Sequence, residues 1–504
     1  MSGAEVQLRP AVIEDAATIF QWRNDPFIIA KGTQQRSVTR DEHQAWFTGF
    51  LADSTCRMYL IHINREPAGQ VRFDGLEGGD AEVSIYLLER FTGRGFGVMA
   101  LRKACWELFA SSCVERVLAF VRTENAPSCR AFKKAGFSLV EANDSSPANH
   151  HALAFKRPAL VPHNRLTHGE PEAMAAVEAV RSGQWTSGPR VAMLETAIAA
   201  RVGVRHAVAV ASGLGALRLT LLGLGIHAGD KVLVPGYSCV ALANAVLACG
   251  ACPVPMDVCA NDWNFDPRDA QNAREAEHPQ AVIAVNTFGA PAEIEALRDW
   301  DLPVIEDCAH GFVADKPGVR CTAAVLSFHA TKLLGAGEGG MVLSDSDELS
   351  ARIRAWRDYS DQPPDGTRLN EQMSDLEAAV ALCQLERLDA MLASRHALAE
   401  SYHAQLDVPG LAGHCYQLPC VTTGRVWYRY AVELLEAGAR ELIDHLKRYD
   451  IGAAEPICAW RPAGARPCPT ADRAYRRVVS LPLYPTLTKL EQDRVIHAFL
   501  RYWS

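Results

Sequence analysis

No apolar run in this 504-residue chain approaches the roughly 20 residues needed to cross a bilayer; "PALVP" and "AVIAV" are typical of what it has. The opening stretch, "MSGAEVQLRPAVIEDAATIF", lacks the basic start and continuous apolar core of a secretion signal. A cytoplasmic protein with no membrane partner is therefore expected. An excess of positive charge is also missing: the net charge is −8, which leaves no global electrostatic footprint for nucleic acid. A disulfide or zinc framework is absent too. Of fifteen cysteines, only Cys249 and Cys252 form a CxxC, and no second pair follows at zinc-ribbon spacing. Cysteines such as Cys105 and Cys383 sit in apolar company, so reduced, buried thiols and no metal are the expectation. There is no internal repeat and no low-complexity tract.

What is present falls into two rhythms. Residues 5 to about 157 show short strand-like segments, "VQLRP", "RMYLIHI", "AGQVRFD" and "AEVSIYL", interleaved with amphipathic helical stretches. From about residue 165, apolar strand-like runs alternate with helices: "HAVAVAS", "DKVLVPG", "AVIAVNTFG", "LPVIEDCA", "AAVLSFH". That alternation predicts an α/β fold with a mostly parallel sheet covered on both faces. Between the two lies "FKRPALVPHNRLTHGEP", with three prolines and no clear period. The division read from this is a first domain over 1–157, a linker over 158–168 and a second domain over 169–504.

In the first domain the informative run is "AEVSIYLLERFTGRGFGVMALRKACWELFA". A strand leads into a loop holding Gly93, Arg94, Gly95 and Gly97, and Val98, Leu101, Cys105, Leu108 and Phe109 then fall on one helical face. Glycines between a strand and a helix start let backbone amides close on an anion, although a tight turn capping a helix accounts for the spacing equally well. The next segment, "VERVLAFVRTENAPSCRAFKKAGFSLVEA", adds a strand leading to Asn125, a short helix and "AGF". This order resembles the GNAT acetyltransferases, over most of residues 5–157. Within them it is similar to the group that acetylates amino sugars on nucleotides and to ribosomal-protein acetyltransferases. The resemblance implies a mixed-sheet α/β domain that uses acetyl-CoA, its pyrophosphate on the loop from Thr92 to Gly97 and Asn125 near the pantetheine arm. Thr92 stands where the family usually has Arg or Gln, and Phe132 where many members carry a tyrosine as general acid. For the general base the choice is Glu82, on the strand before the loop, where a carboxylate takes a proton from an incoming ammonium directly or through water. An exposed strand carboxylate is the plainer account of that residue.

In the second domain, "PVIEDCAHGF" reads as a buried strand ending in Glu306 and Asp307, with His310 three residues on. "AVLSFHATK" is another, ending in Ser327, His329 and Lys332. Ligands of open α/β sheets sit beyond the carboxyl ends of the strands, so these groups are expected to converge on one crevice. Ser212 and Gly213 lie where a further strand turns into a helix, a second anion cradle. A lysine kept out of water serves as a nucleophilic amine, and an aspartate beside it keeps a pyridinium nitrogen protonated. Alone, each is commonplace, a solvated lysine or a helix cap; in this order they are the parts of a pyridoxal phosphate site.

Residues from about 165 to 504 resemble the DegT/StrS family of fold-type-I, pyridoxal-5'-phosphate-dependent sugar aminotransferases. The matching stretches include "QWTSGPRVAMLE", "VIEDCAH", "SFHATKLLGAGEGG" and "LNEQMSDLEAAVALCQLERLD". The resemblance implies a mostly parallel sheet with a smaller C-terminal α+β subdomain. It implies that Lys332 bonds to the cofactor and shuttles a proton, Asp307 pairs with the ring nitrogen, His310 lies beside the ring, and Ser327 with the Gly213–Leu214 backbone holds the phosphate. Asn370 matches an asparagine that reaches the neighbouring subunit's phosphate, so a homodimer is the expected unit. Three positions depart: Leu214 removes a hydroxyl, Cys239 replaces the ring that stacks on the cofactor, and Gln372 replaces an arginine. Tyr237 substitutes for that ring only if its segment stays extended.

An aminotransferase makes a primary amine and an amino-sugar acetyltransferase consumes one. The expected function is bifunctional: transamination of a UDP- or dTDP-linked keto-deoxy sugar with L-glutamate, then N-acetylation from acetyl-CoA, on a tethered intermediate. The alternatives are an acetyltransferase with an unrelated acceptor, such as a protein N-terminus, or a cofactor-binding regulatory protein without turnover.

Overall fold

The computed structural model describes residues 5–32, 35–141, 147–311, 321–358, 369–461 and 464–503. It divides into two compact units, residues 1–160 with 448–450 and residues 161–447 with 451–504.

The first unit is built on a seven-stranded sheet in the order Val6–Pro10, Arg57–Ile63, Glu66–Asp74, Asp80–Leu87, Arg116–Arg122, His150–Lys156, Ser138–Leu139. Alternation assigns its faces. Val71, Phe73, Ala81, Val83, Val117 and Ala119 pack on helix Phe96–Ser111, whose Leu101, Cys105, Leu108 and Phe109 are buried as their spacing predicts. Truncating a side chain such as Leu101 to alanine in that core costs ~2–5 kcal/mol. Gln70, Arg72 and Asp74 point to the opposite face, paired in register with Tyr86, Ser84 and Glu82. Among the described residues of this sheet only strands Asp80–Leu87 and Arg116–Arg122 run parallel, and they pair from Asp80–Arg116 to Glu82–Leu118 and then part. Glu82 therefore sits at the last paired position before a gap opens in the sheet.

The second unit holds a seven-stranded sheet ordered Cys252–Met256, Lys231–Pro235, Ala281–Val285, Val304–Asp307, Ala323–Ser327, Gly340–Ser344, His206–Val210. The first five are parallel, and Gly340–Ser344 is antiparallel to both of its neighbours. Ala281–Val285 is buried at every residue, as a strand covered on both faces must be. A three-stranded antiparallel sheet, Tyr416–Gln417, Tyr430–Leu434 and Val478–Leu481, forms the smaller part with helices Pro469–Arg477 and Lys489–Arg501. Ser374–Glu377 and Thr488–Glu491 are reciprocal capping boxes that start the long helix Asp375–Leu406 and the final helix.

All fifteen cysteines are unpaired, but the expectation that they are buried needs correction. Only Cys105, Cys308 and Cys468 are buried; Cys383 is half-buried, and Cys113, Cys239, Cys252 and Cys458 are exposed. Apolar neighbours in sequence do not fix which face of a helix a residue takes.

Candidate active sites

The carboxyl ends of the central parallel strands bring several of the expected residues together. Asp307 closes strand Val304–Asp307 and is buried, its Oδ1 accepting from the Ala309 N–H at 2.9 Å. Burial raises its carboxyl above the ordinary range, against the pull of that N–H and of the Lys332 cation. A carboxylate in this state is compensated fully only when a further positive partner reaches it.

Lys332 lies on the loop after strand Ala323–Ser327, half-buried, with Nζ 5.1 Å from the centroid of the Tyr428 ring. Tyr428 is buried and stacks on His310 with centroids 4.5 Å apart and planes 13° from parallel. His310 in turn stacks on Phe288 at 5.9 Å, and its Nδ1 lies 3.4 Å from the Phe288 N–H. Burial, with Lys332 and Arg429 nearby, drives the imidazole well below its usual range and favours its neutral form. Burial alone would raise the Tyr428 phenol. The Lys332 and Arg429 cations and a hydrogen bond with Thr331 outweigh it and hold the phenol below its ordinary value.

The second cradle forms where helix Gly213–Gly223 starts. Ser212 caps it, its side chain accepting from Gly215 N–H at 3.0 Å. A Cβ on Gly213 would lie 2.8 Å from Ser327 Cβ, so only glycine lets the helix start approach that serine. Gly213, half-buried Leu214 and half-buried Ser327 thus share one corner of the crevice. His329 does not join them: it is exposed, and its Nδ1 lies 3.1 Å from Thr331 Oγ1. Cys239 is exposed at the start of helix Val240–Leu247. Tyr237 is fully buried, edge-on against Tyr475 and against the Phe288 ring that stacks on His310. Asn370 is exposed, and Gln372 Oε1 accepts from the Ser187 hydroxyl.

In the first unit, Gly93 (φ 71°) and Gly95 (φ 86°) take left-handed backbone, and Gly95 begins helix Phe96–Ser111, with Gly97 in its first turn. The Arg94 guanidinium lies 5.0 Å from the Phe96 ring centroid. Asn125 caps helix Ala126–Ala135 by accepting from Ser128 N–H at 3.2 Å. Phe132 is buried edge-on against Phe137 at 5.0 Å and carries no proton to give. Glu82 is exposed, as the plainer account of a strand carboxylate has it, yet partial desolvation of its carboxyl and the cross-strand Asp74 raise it, with Arg72 opposing. Arg72 bonds Asp74 at 3.1 Å and lies 5.5 Å from the Trp46 ring centroid; Tyr86, on the same sheet face, keeps a buried hydroxyl without a partner.

Sequence reasoning missed Arg72, Asp74 and Tyr86, although the period-2 alternation of "GQVRFD" and "AEVSIYL" carries them. It also missed Tyr428 and Arg429, for which no local signal exists.

Comparison with known proteins assigns a family model to each part of the chain. Residues 167–500 match the DegT/DnrJ/EryC1/StrS aminotransferase family, and residues 5–138 match the acetyltransferase (GNAT) domain. Among similar solved structures, DesV of S. venezuelae is 32% identical over 66% of this chain and 94% of its own, with a TM-score of 0.60. AtS13 from Actinomadura melliaura is 27% identical over 68% of this chain and 98% of its own (TM-score 0.61). A DegT DnrJ EryC1 StrS aminotransferase from Brucella abortus is 25% identical over 66% and 95% (TM-score 0.60). The chain belongs to the DegT/DnrJ/EryC1/StrS aminotransferase family and carries a GNAT acetyltransferase domain ahead of it, making it a pyridoxal-phosphate-dependent aminotransferase and an N-acetyltransferase.

Proposed function

We propose that the two units catalyse consecutive steps on one nucleotide-linked sugar. The second unit converts a keto-deoxy sugar on UDP or dTDP to the amino sugar with L-glutamate as donor, and the first acetylates that amine from acetyl-CoA. The observation that carries the first half is the placing of buried Asp307, of Ser327 with Gly213 against it, and of Lys332 at the carboxyl ends of two adjacent parallel strands. These residues fit pyridoxal phosphate. Asp307 is a buried carboxylate short of a cationic partner, which a protonated pyridine nitrogen supplies. The glycine-only approach of a helix start to Ser327 suits a phosphate.

When bound, the cofactor supplies the carbonyl that exchanges its oxygen for nitrogen and the ring that absorbs the electron pair. Ser327 and the backbone amides of Gly213 and Leu214 hold its phosphate. Asp307 would hold the ring nitrogen protonated, and His310, stacked between Tyr428 and Phe288, would lie beside the ring. Lys332 Nζ, on the Tyr428 ring, is the proton carrier. The match of Asn370 to the asparagine that reaches a neighbouring subunit's phosphate supports a homodimer as the active unit, and its exposure is compatible with that role.

In the first unit, Gly93, Arg94, Gly95 and Gly97 cradle the acetyl-CoA pyrophosphate, and the gap beyond Glu82 admits the pantetheine arm beside Asn125. Glu82, its carboxyl raised by partial desolvation and Asp74, removes the proton from the incoming ammonium. With Phe132 in place of a phenol, the leaving thiolate is protonated from water.

The test of the first half is an absorption spectrum of the protein loaded with pyridoxal phosphate, before and after L-glutamate. Loss of the visible cofactor band is expected. A band that never forms at saturating cofactor, given Leu214 and Cys239, moves the regulatory reading to first place.

A further inference from the structure

Beside Lys332 lies a second cation without a counter-charge. Arg429 Cζ is 5.0 Å, and Lys332 Nζ 5.1 Å, from the same Tyr428 centroid. The two positive charges are thus within roughly 10 Å of each other, a spacing at which like charges repel unless an anion joins them. The partner that Arg429 has is His163, with Nη1 2.9 Å from Nε2; Ser480 Oγ lies 2.9 Å from that same nitrogen. Burial and the Arg429 cation push His163 down to about 3, so the imidazole accepts an N–H and brings no negative charge.

Neighbouring arginines show what is missing. Arg165 pairs with Glu491 at 2.7 Å. Arg395 is buried and donates to the carbonyls of Tyr428 and Leu483 at 3.0 Å, which meets its hydrogen bonds but adds a third uncompensated charge under the crevice. Among the described residues no carboxylate forms an ion pair with Arg429. His163, Asn164, Thr331, Tyr428, Arg429 and Ser480 line a cavity, and Asn164 and Thr331 also line the neighbouring cavity that Lys332 enters.

The geometry points to Arg429, backed by His163 and Ser480, as the seat of a carboxylate of the amino donor. This rests on the transamination reading above. An amino-acid donor must bring its nitrogen to the place Lys332 serves with a carboxylate a few ångströms away, and a guanidinium fork is shaped for that group. His163 fixes one arm of the fork and leaves the rest to the ligand. The diphosphate of a nucleotide sugar is held off from its reacting carbon by the sugar ring, so a site this near Lys332 fits it less well.

The experiment uses the full chain loaded with pyridoxal phosphate, as wild type, R429Q and R429K. In R429Q the L-glutamate concentration for half-maximal loss of the cofactor band is expected to rise ~10- to 100-fold, the cost of a charge-assisted pair. R429K should recover part of it, and reaction of the aminated form with keto sugar should change less. Glutarate, titrated calorimetrically into cofactor-free protein, gives a readout independent of turnover: wild type binds it and R429Q does not. Equal glutamate dependence with equal glutarate binding in both overturns the assignment. A defect confined to the keto-sugar half overturns it too, giving Arg429 to the diphosphate. If the wild-type band ignores glutamate, the transamination reading fails, and the glutarate titration still decides the subsite.

Discussion

Asp307 in the second unit and Glu82 in the first are both strand carboxylates held above the ordinary range, but Asp307 is buried and Glu82 is exposed, and their leading charged neighbours differ in sign. Asp307 faces the Lys332 cation and a backbone N–H, so its charge is held and waits for one more cation. Glu82 faces Asp74 across the strand pair, a like charge that favours the proton. The charge next to each therefore prepares one carboxylate to stay ionised against a ring nitrogen and the other to pick up a proton and release it. The residue on the next strand or loop decides the chemistry.

The sharpest way to break this comparison is to disable one unit and read the other. K332A is expected to slow the glutamate half-reaction by ~10³-fold or more, in the range of a lost proton carrier, while acetylation of a supplied amino sugar is unchanged. A matched loss in both would show that the two sites are not independent. E82Q should cut acetyl transfer by ~10²-fold and leave the cofactor band and its response to glutamate untouched. D74N sharpens the point: removing the like charge lowers the Glu82 carboxyl, so the acid limb of the acetylation profile shifts to lower pH. An upward shift would contradict the role given to Asp74.

D307N should weaken retention of pyridoxal phosphate by ~10- to 100-fold, measured by dialysis, because a charged hydrogen bond is lost. Its stability effect has the opposite sign. A carboxyl whose folded value is raised costs stability above that value and costs none below the unfolded one. Cofactor-free D307N should therefore melt above the cofactor-free wild type at pH 8, with the gap closing as pH falls through the raised range. The smallest effect belongs to G213A. Its Cβ would meet Ser327 at 2.8 Å, so the cradle must open; retention should fall ~5- to 10-fold, consistent with about 1 kcal/mol of local strain, with the fold intact by circular dichroism.

Much of this was legible in the sequence because the signals are local. Buried strands announce themselves as apolar runs, capping boxes mark helix starts, and "VIEDCAH" and "SFHATK" put Asp307 and Lys332 at strand ends. What sequence does not carry is which distant residue fills the space between them. Tyr428 joins Lys332 and His310 only because a separate sheet packs there, and His163 meets Arg429 across 266 residues. His329 shows the converse, since proximity to Lys332 in the chain did not bring its ring into the crevice.

The most direct test of the central claim supplies the full chain with pyridoxal phosphate, ¹⁵N-glutamate, ¹³C-acetyl-CoA and a panel of UDP- and dTDP-linked keto-deoxy sugars, and reads the products by mass spectrometry. The expected result is one sugar in which a single molecule carries both labels, with little free amino sugar accumulating. A ¹⁵N-amino sugar that builds up and takes no ¹³C-acetyl would contradict it and assign the acetyltransferase a different acceptor.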